Sequence, residues 1–546
     1  MDILWQHPLA DIWAEVLNLD RVSIEDHFLQ IGGDSILSIQ VVGKARQAGL
    51  FFTPADLFER PQIATLAEII QVSAQQQKTL IMGEVPLTPI QHWFFEQIKP
   101  VPQHWNQAIQ LAIPKTVTPT MLHKAIQYLC QHHDALRMRF VPSAQGWQQF
   151  NQGKDYQVPW QVIDLPPSQQ EVAIEQKANQ LQSQLDFATS LLQTALFQLE
   201  EQAENRLLII AHHLIIDHVS WQILLEDLNQ LCQQQMSHQS MQLPEKTLAF
   251  QDWARQLADD AQSTETAQQL SQWLDFLQQP SANLPIDFPD RRAENIEANH
   301  CIYSASLNQT QTQALLQEVP KAYQTQINDV LLTALLQTLH TWTGDSSCLF
   351  DLESHGRQRD DVDVSRTIGW FTSCFPVALQ MHDTESGALL KSVKEQLRQI
   401  PQKGLSYGLL RYLSAEPKIK QKLTHTTADI LFNYLGQRQP SATICKIITE
   451  ANNGLSRSPR NQRSYLLEIN AFISEGELQT NWSYSQALYR QTTIEYLAQS
   501  FMTALQALIE HCQLPGVGGF TPSDFAESGL NQSQLDQFID KITANG

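Results

Sequence analysis

Residues 206–228 read RLLIIAHHLIIDHVSWQILLEDL. An apolar run ends on two adjacent histidines, His212 and His213, and is followed by Asp217 and a helical pattern. Neighbouring side chains on a strand point to opposite faces, so only one of the two histidines can enter a given cavity. Two readings of the bare residues stay open. They are a structural pair of buried histidines, or ligands that join Asp217 around a metal, although no third ligand stands at a familiar spacing. The strand-then-helix pattern recurs along the chain. Strand-like runs at 109–112, 207–211, 348–352 and 429–432 alternate with amphipathic helical patterns over 120–132, 172–185, 219–235 and 326–341. Residues 85–546 therefore read as an α/β region too large for one core, so two lobes are expected.

Residues 1–71 behave as a separate helical unit. Leu9, Ile12, Trp13, Val16 and Leu17 share one helical face, and Ile36, Leu37, Ile39, Val42 and Ala45 share a second. A third stripe, Ile63, Leu66, Ile69 and Ile70, follows Pro61, a residue suited to the first turn of a helix. Ahead of the second stripe stands Gly32-Gly33-Asp34-Ser35, where the glycines permit a tight turn and Ser35 opens a helix at a loop tip. On these four residues alone Ser35 reads as an ordinary helix cap. Residues 72–84 (VSAQQQKTLIMGE) are polar and aperiodic and read as a linker.

The whole chain of 546 residues carries 36 Lys+Arg against 57 Asp+Glu, a net charge of −21. That balance argues against nucleic acid and anionic membrane surfaces as partners, both of which attract basic patches. The charged fraction is 17%, and short glutamine runs (75–77, 233–235) beside helical patterns read as polar surface. Seven scattered cysteines without C-x-x-C spacing speak against a disulfide framework or structural zinc. The opening MDILWQHPLADIW lacks the pattern of a signal peptide, and no apolar run reaches the length of a membrane span, so a cytoplasmic location is expected. No dinucleotide glycine fingerprint, P-loop or G-x-S-x-G elbow is present.

The segment DHFLQIGGDSILSIQVV (26–42) resembles the thiolation, or peptidyl carrier, domains of nonribosomal peptide synthetases. It matches D-x-F-F-x-x-G-G-[DH]-S-[LI] at Asp26, Phe28, Gly32, Gly33, Asp34, Ser35 and Ile36. The larger region resembles the condensation/epimerization superfamily of the same synthetases. H-H-x-x-x-D-x-x-S-W matches at His212, His213, Asp217, Ser220 and Trp221, and the Ser-Trp ending favours the epimerization branch. Further blocks are PIQHWF (89–94), DLESHGR (351–357), RTIGWFT (366–372), PQKGLSYG (401–408), FNYLGQ (432–437) and TPSDF (521–525). Four positions depart from the family pattern: His218 and Ser354 stand where Gly is usual, Gln358 replaces Glu, and Ser406 replaces Gly. His218 is expected to narrow the tunnel for the arm.

The resemblance implies a four-helix carrier bundle followed by a two-lobed chloramphenicol-acetyltransferase-like α/β pseudo-dimer, its lobes at about 85–284 and about 285–546, with its site between the lobes. It implies that Ser35, beside Asp34, carries 4′-phosphopantetheine, and that no metal is needed. The implied reaction is epimerization at Cα of a carrier-bound aminoacyl or peptidyl thioester, which needs a base, an acid and donors for the developing enolate. By the resemblance His213 faces the cavity and Glu353 opposes it from the other lobe. Tyr434 and Asn433 are candidate donors, with His212, Asp217, Ser220 and Trp221 in support. Asp217 is expected to pair with an arginine, Trp221 and Trp370 to pack, and His132-His133 to be structural. The implied partners are an upstream adenylation domain, a phosphopantetheinyl transferase and a downstream condensation domain. Opening directly on a carrier suits an excised piece of a longer synthetase or a free-standing protein. The competing readings are a condensation domain and a non-catalytic carrier-docking scaffold.

Overall fold

The computed structural model describes residues 3–70 and 81–543, apart from 98, 145, 154, 168–169, 201, 279–283, 358, 360–361, 425–427, 439–443 and 450. The carrier part is built on helices Ile3–Leu17 and Ser35–Gln47, with shorter helices Pro54–Glu59 and Ile63–Leu66 closing the bundle. Its core holds Leu9, Trp13, Val16, Phe28, Leu37, Val41, Leu57, Ile63 and Leu66, and the Trp13 ring meets Phe28 edge-on at 5.0 Å. The last stripe makes a shorter helix than its spacing suggests, and Pro61 stands outside it, one residue before the cap Gln62. Helix Pro54–Glu59 carries a readable start signal: Thr53 and Asp56 form a reciprocal capping box around Pro54.

Residues 72–80 of the expected linker lie outside the described residues, and its C-terminal end is structured. Gly83–Val85 is a strand that pairs antiparallel with Gly146–Asn151, which in turn pairs with Met138–Ser143. Buried Val85 anchors this edge, and the Gln251 amide donates to the Glu84 carbonyl at 2.7 Å. A polar, aperiodic stretch thus becomes a strand because its partners lie far along the chain.

Beyond it two sheets form. The first has the order Lys446–Ile447, Asn106–Pro114, Glu204–His212, Leu192–Leu199, Trp160–Leu165, and helices Pro119–His132 and His218–Met236 share a core with it. The helix Gln170–Gln182 packs Ile174, Ala178 and Leu181 on Phe197, Leu208 and Ile210 of the same sheet. The second has the order Ser373–Gln380, Ser347–Ser354, Ile430–Arg438, Leu467–Ser474, Glu477–Ser485, His300–Ser306, with helices Ile327–Thr343 and Gln491–Cys512 in its core. The lobes exchange segments: Lys446 and Ile447 pair with Ala112 and Leu111 of the first sheet. Val364, Ile368, Trp370 and Phe371, which follow a strand of the second sheet, are buried in the core of the first. No described helix is long and apolar enough to cross a membrane.

Candidate functional site

The strand Glu204–His212 ends where the two histidines diverge. The backbone N–H of His212 donates to Leu191 and that of His213 to Trp105. His212 is fully buried between Phe94 and Phe187, its Nε2 faces the Pro102 carbonyl at 2.9 Å, and its Nδ1 accepts from the Leu214 N–H at 3.1 Å. With no exposed surface, unlike the half-buried His213, and with burial pushing its pKa down to about 3, His212 is part of the lobe's interior. His213 turns the other way, against the Trp370 ring at 4.3 Å between centroids. Its Nδ1 faces the Ile216 carbonyl and its Nε2 the Gln107 amide nitrogen, each at 2.9 Å. Burial holds its pKa down at about 4.

Asp217 caps helix His218–Met236 through the Ser220 N–H at 2.7 Å and accepts both contacts of the Arg357 guanidinium, at 3.1 and 3.2 Å. Arg357 also donates to Ser220 Oγ and to the carbonyls of Val364 and Thr367, and lies over the Phe371 ring at 3.8 Å. Ser220 Oγ in turn donates to the Gly369 carbonyl at 2.9 Å. The expected arginine partner of Asp217 is therefore Arg357, and the strap made by Arg357 and residues 362–371 is tied to the histidine loop. Gly356 and Gly369 permit this closeness: a Cβ at Gly356 would lie 1.7 Å from the Phe371 carbonyl oxygen, and one at Gly369 2.2 Å from the Phe250 ring. Trp221 does more than pack, since its indole N–H donates to Gln107 Oε1 at 2.7 Å.

Glu353 comes from the second lobe, on strand Ser347–Ser354, opposite Cys374 on one side and Asn433 on the other. Asn433 Nδ2 donates to Glu353 Oε2 at 2.5 Å. Burial, with Glu468 and Asp351 nearby, raises the Glu353 carboxyl to about 7 against the opposing pull of Arg457. Asp351, two residues back on the same strand face, is raised by burial to about 6 and accepts from Tyr465 OH at 2.7 Å.

Arg457 joins the halves. It stacks on the Trp105 ring at 3.9 Å and pairs with Glu297 and Glu468, and its charge acts on both Glu353 and His213. The loop carrying it is fixed to the first lobe by the Asn106 N–H on the Ser456 carbonyl and by His104 on Leu455. Sequence reasoning passed over Arg457, Asp351 and Gln107. The signal for Arg457 was three arginines within 457–463 in a chain of strong negative charge.

Tyr434 neighbours Asn433 but points to the opposite sheet face, and its hydroxyl donates to Asp34 Oδ2 of the carrier at 3.3 Å. It belongs to a docking surface. Gln437 donates to the Gly32 carbonyl, Gln40 to Gln222, and Arg46 pairs with Asp363. Ile36 packs on Gly436, whose added Cβ would fall 2.9 Å from Ile36 Cδ1. Ser35 heads its helix, capped by Asp34 through the N–H groups of Ile36 and Leu37. Beside it lies a cavity of about 60 Å³ walled by Tyr434 and by Thr325, Gln326, Ile327 and Asn328 at the start of helix Ile327–Thr343. Thr325 Oγ1 is buried there without a hydrogen-bond partner among the described residues. An unpaired hydroxyl and a helix N-terminus suit the phosphodiester that Ser35 would carry.

The remaining expected positions fall as follows. His133 faces Asp227, which is also paired with Arg366, so the second histidine pair is structural. Ser406 accepts the Trp273 indole N–H at 2.9 Å, filling a place the family leaves to Gly. Ser354 ends its strand, His218 opens the helix after Asp217, and Gln358 lies outside the described residues. Among the described residues no group of three or more His, Cys, Asp or Glu could hold a metal.

The condensation-domain family matches residues 81–529, and the phosphopantetheine attachment site family matches residues 7–70. The chain belongs to the condensation-domain family. This family member follows a carrier domain of the phosphopantetheine attachment type. It is 44% identical over 542 residues to one component of the linear gramicidin synthase of Brevibacillus parabrevis. It is 40% identical over 552 residues to the chondramide synthase of Chondromyces crocatus. The alignments cover 97% and 99% of this chain but only 11% and 14% of those proteins. Among solved structures, the epimerization domain from the third module of tyrocidine synthetase B superposes with a TM-score of 0.75 at 35% identity. That match covers 80% of this chain and 99% of that domain. The condensation domain of monacolin K polyketide synthase, at 16% identity and a TM-score of 0.64, shares the fold and is matched over 80% of this chain and 99% of its own.

Proposed function

We propose that this condensation-family domain epimerizes the Cα of an aminoacyl or peptidyl thioester carried on Ser35. The observation that carries the reading is that Arg457 acts on both His213 of one lobe and Glu353 of the other, whose pKa values are pushed apart to about 4 and about 7. Near neutrality the imidazole is neutral and the carboxyl holds a proton about half of the time. When bound, phosphopantetheine supplies the thioester that makes the Cα proton removable. His213 Nε2, released from the Gln107 amide, takes that proton, the C–H pair moves onto the thioester carbonyl, and Glu353 returns a proton to the opposite face. The imidazolium and carboxylate then reset by exchange with water. Asn433 orients the carboxyl. The buried indole N–H of Trp370, without a partner among the described residues and against the His213 ring, is a donor for charge developing on the carbonyl oxygen. Tyr434 acts at the carrier contact with Asp34.

The same reading implies a transferase that modifies Ser35, an adenylation domain that supplies the aminoacyl group, and a condensation domain that consumes the epimerized product. The experiment loads Ser35 with an L-aminoacyl-pantetheine and follows chirality after hydrolysis. A D/L mixture is expected, abolished by His213→Ala and by Glu353→Gln. Retained L configuration in the parent chain overturns the reading, and peptide-bond formation with a second loaded carrier assigns the site to condensation instead.

A further inference from the structure

The hydrogen bonds around His213 form a chain whose direction is set at both ends. At one end the Trp221 indole is a donor only, so the Gln107 atom it meets at 2.7 Å is the amide oxygen. The amide group then presents only its NH2 to His213, 2.9 Å from Nε2, and that nitrogen must accept. At the other end, the Ile216 carbonyl at 2.9 Å from Nδ1 can only accept, so Nδ1 carries the hydrogen. Two independent anchors give the same tautomer. Gln107 stands on strand Asn106–Pro114 and Trp221 in the first turn of helix His218–Met236, both outside residues 212–217.

We infer that Gln107, clamped by Trp221, is a positioning residue that fixes His213 in the Nδ1–H tautomer and holds its one Nε2 lone pair, the proton-accepting site, until the substrate takes the place of that amide hydrogen bond. The inference rests on the reading of His213 as the base. Protonation of Nε2 sets an N–H against the Gln107 N–H, and Gln107 cannot turn its oxygen inward without losing Trp221. The imidazolium is therefore short-lived and a strong acid. The charged or titratable groups facing the ring are Asp217 on its own loop, His212 behind it and Arg457 from the crossing loop, and the first of these is held by Arg357. The Ser-Trp ending of the histidine motif thereby gains a chemical role.

The test uses the full chain labelled with 15N-histidine, before arm loading, with His213 assigned through His213→Asn. The wild type should show one neutral tautomer at His213, protonated at Nδ1. Gln107→Glu, which places an acceptor and a charge against Nε2, should protonate Nε2 and raise the midpoint of the His213 titration by about one pH unit or more. Trp221→Phe, which frees the amide to turn its oxygen to Nε2, should also raise the midpoint, while the Ile216 carbonyl keeps the neutral ring protonated at Nδ1. In Cα exchange of the loaded chain, Gln107→Glu should lower kcat with KM unchanged and move the acid limb of the pH profile upward. An Nε2–H tautomer in the wild type, or an unchanged titration midpoint in both variants, overturns the inference. If the tautomers behave as stated but no variant, wild type included, exchanges Cα hydrogen, the epimerase reading falls and the clamp stands.

Discussion

The Arg357–Asp217 pair is the firmest link between the strap and the histidine loop, and its energy can be worked from its surroundings. Side-chain exposures of 1% and 6% place both charges out of water. Replacing Arg357 with Met keeps the volume but leaves Asp217 with only the N–H groups of Ser220 and Phe371. Removing one partner of a buried pair costs about 3–5 kcal/mol, because the other charge stays behind without compensation. Asp217→Asn strands the guanidinium against the Val364 and Thr367 carbonyls and should cost a similar amount. The double variant leaves no buried charge, so its cost should not exceed that of the worse single variant, a coupling of about 3 kcal/mol. Urea unfolding followed by tryptophan fluorescence measures all four corners of the cycle. A single-variant cost below about 1 kcal/mol, or a double variant equal to the sum, would refute the reasoning.

Three further outcomes are expected. The rate of Cα exchange should fall below about pH 4, where His213 takes up a proton, and above about pH 7, where Glu353 loses its own. Asp351→Asn removes a like charge, favours the Glu353 carboxylate, and should shift the alkaline limb to lower pH; a profile flat through both limbs counts against the assigned pair. Tyr434→Phe removes one hydrogen bond to Asp34, worth about 0.5–1.5 kcal/mol, and should raise the undocked carrier population, read as sharper carrier amide signals in NMR spectra. Ser406→Gly returns the family residue but strands the buried Trp273 indole N–H, and should cost about 1–3 kcal/mol in the same unfolding assay, with no loss expected if that bond is dispensable.

Local pattern carried the parts of the fold that are local. The strand into His212, the helix after Asp217 and the helix headed by Ser35 all follow from periodicity and cap residues, and each lies where the motifs imply. The boundaries moved by a few residues, as in Gln170–Gln182 against the expected 172–185. What stayed hidden depends on sheet register. Gln107 reaches His213 across 106 residues because strands Asn106–Pro114 and Glu204–His212 pair with Gln107 opposite Ala211. Asn433 meets Glu353 through a parallel pairing, and Arg457 enters on a loop with no periodicity of its own. Gly83–Val85 looked like linker since a three-residue edge strand has too little sequence for alternation to show. Tyr434 was expected as a donor to the thioester and not at the carrier, because the alternation that separates it from Asn433 matters only once Asp34 is docked.

The central claim is that two groups on opposite faces of Cα exchange its proton, and isotope placement at early conversion tests it most directly. The L-aminoacyl chain is incubated in D2O, quenched before equilibrium, and the label is measured separately in the D product and in recovered L. Proton removal by His213 and delivery by Glu353 predicts deuterium in the D product and little in the L residue, since a proton held by one group returns to its own face. Equal label in both, or inversion without label, would contradict the account.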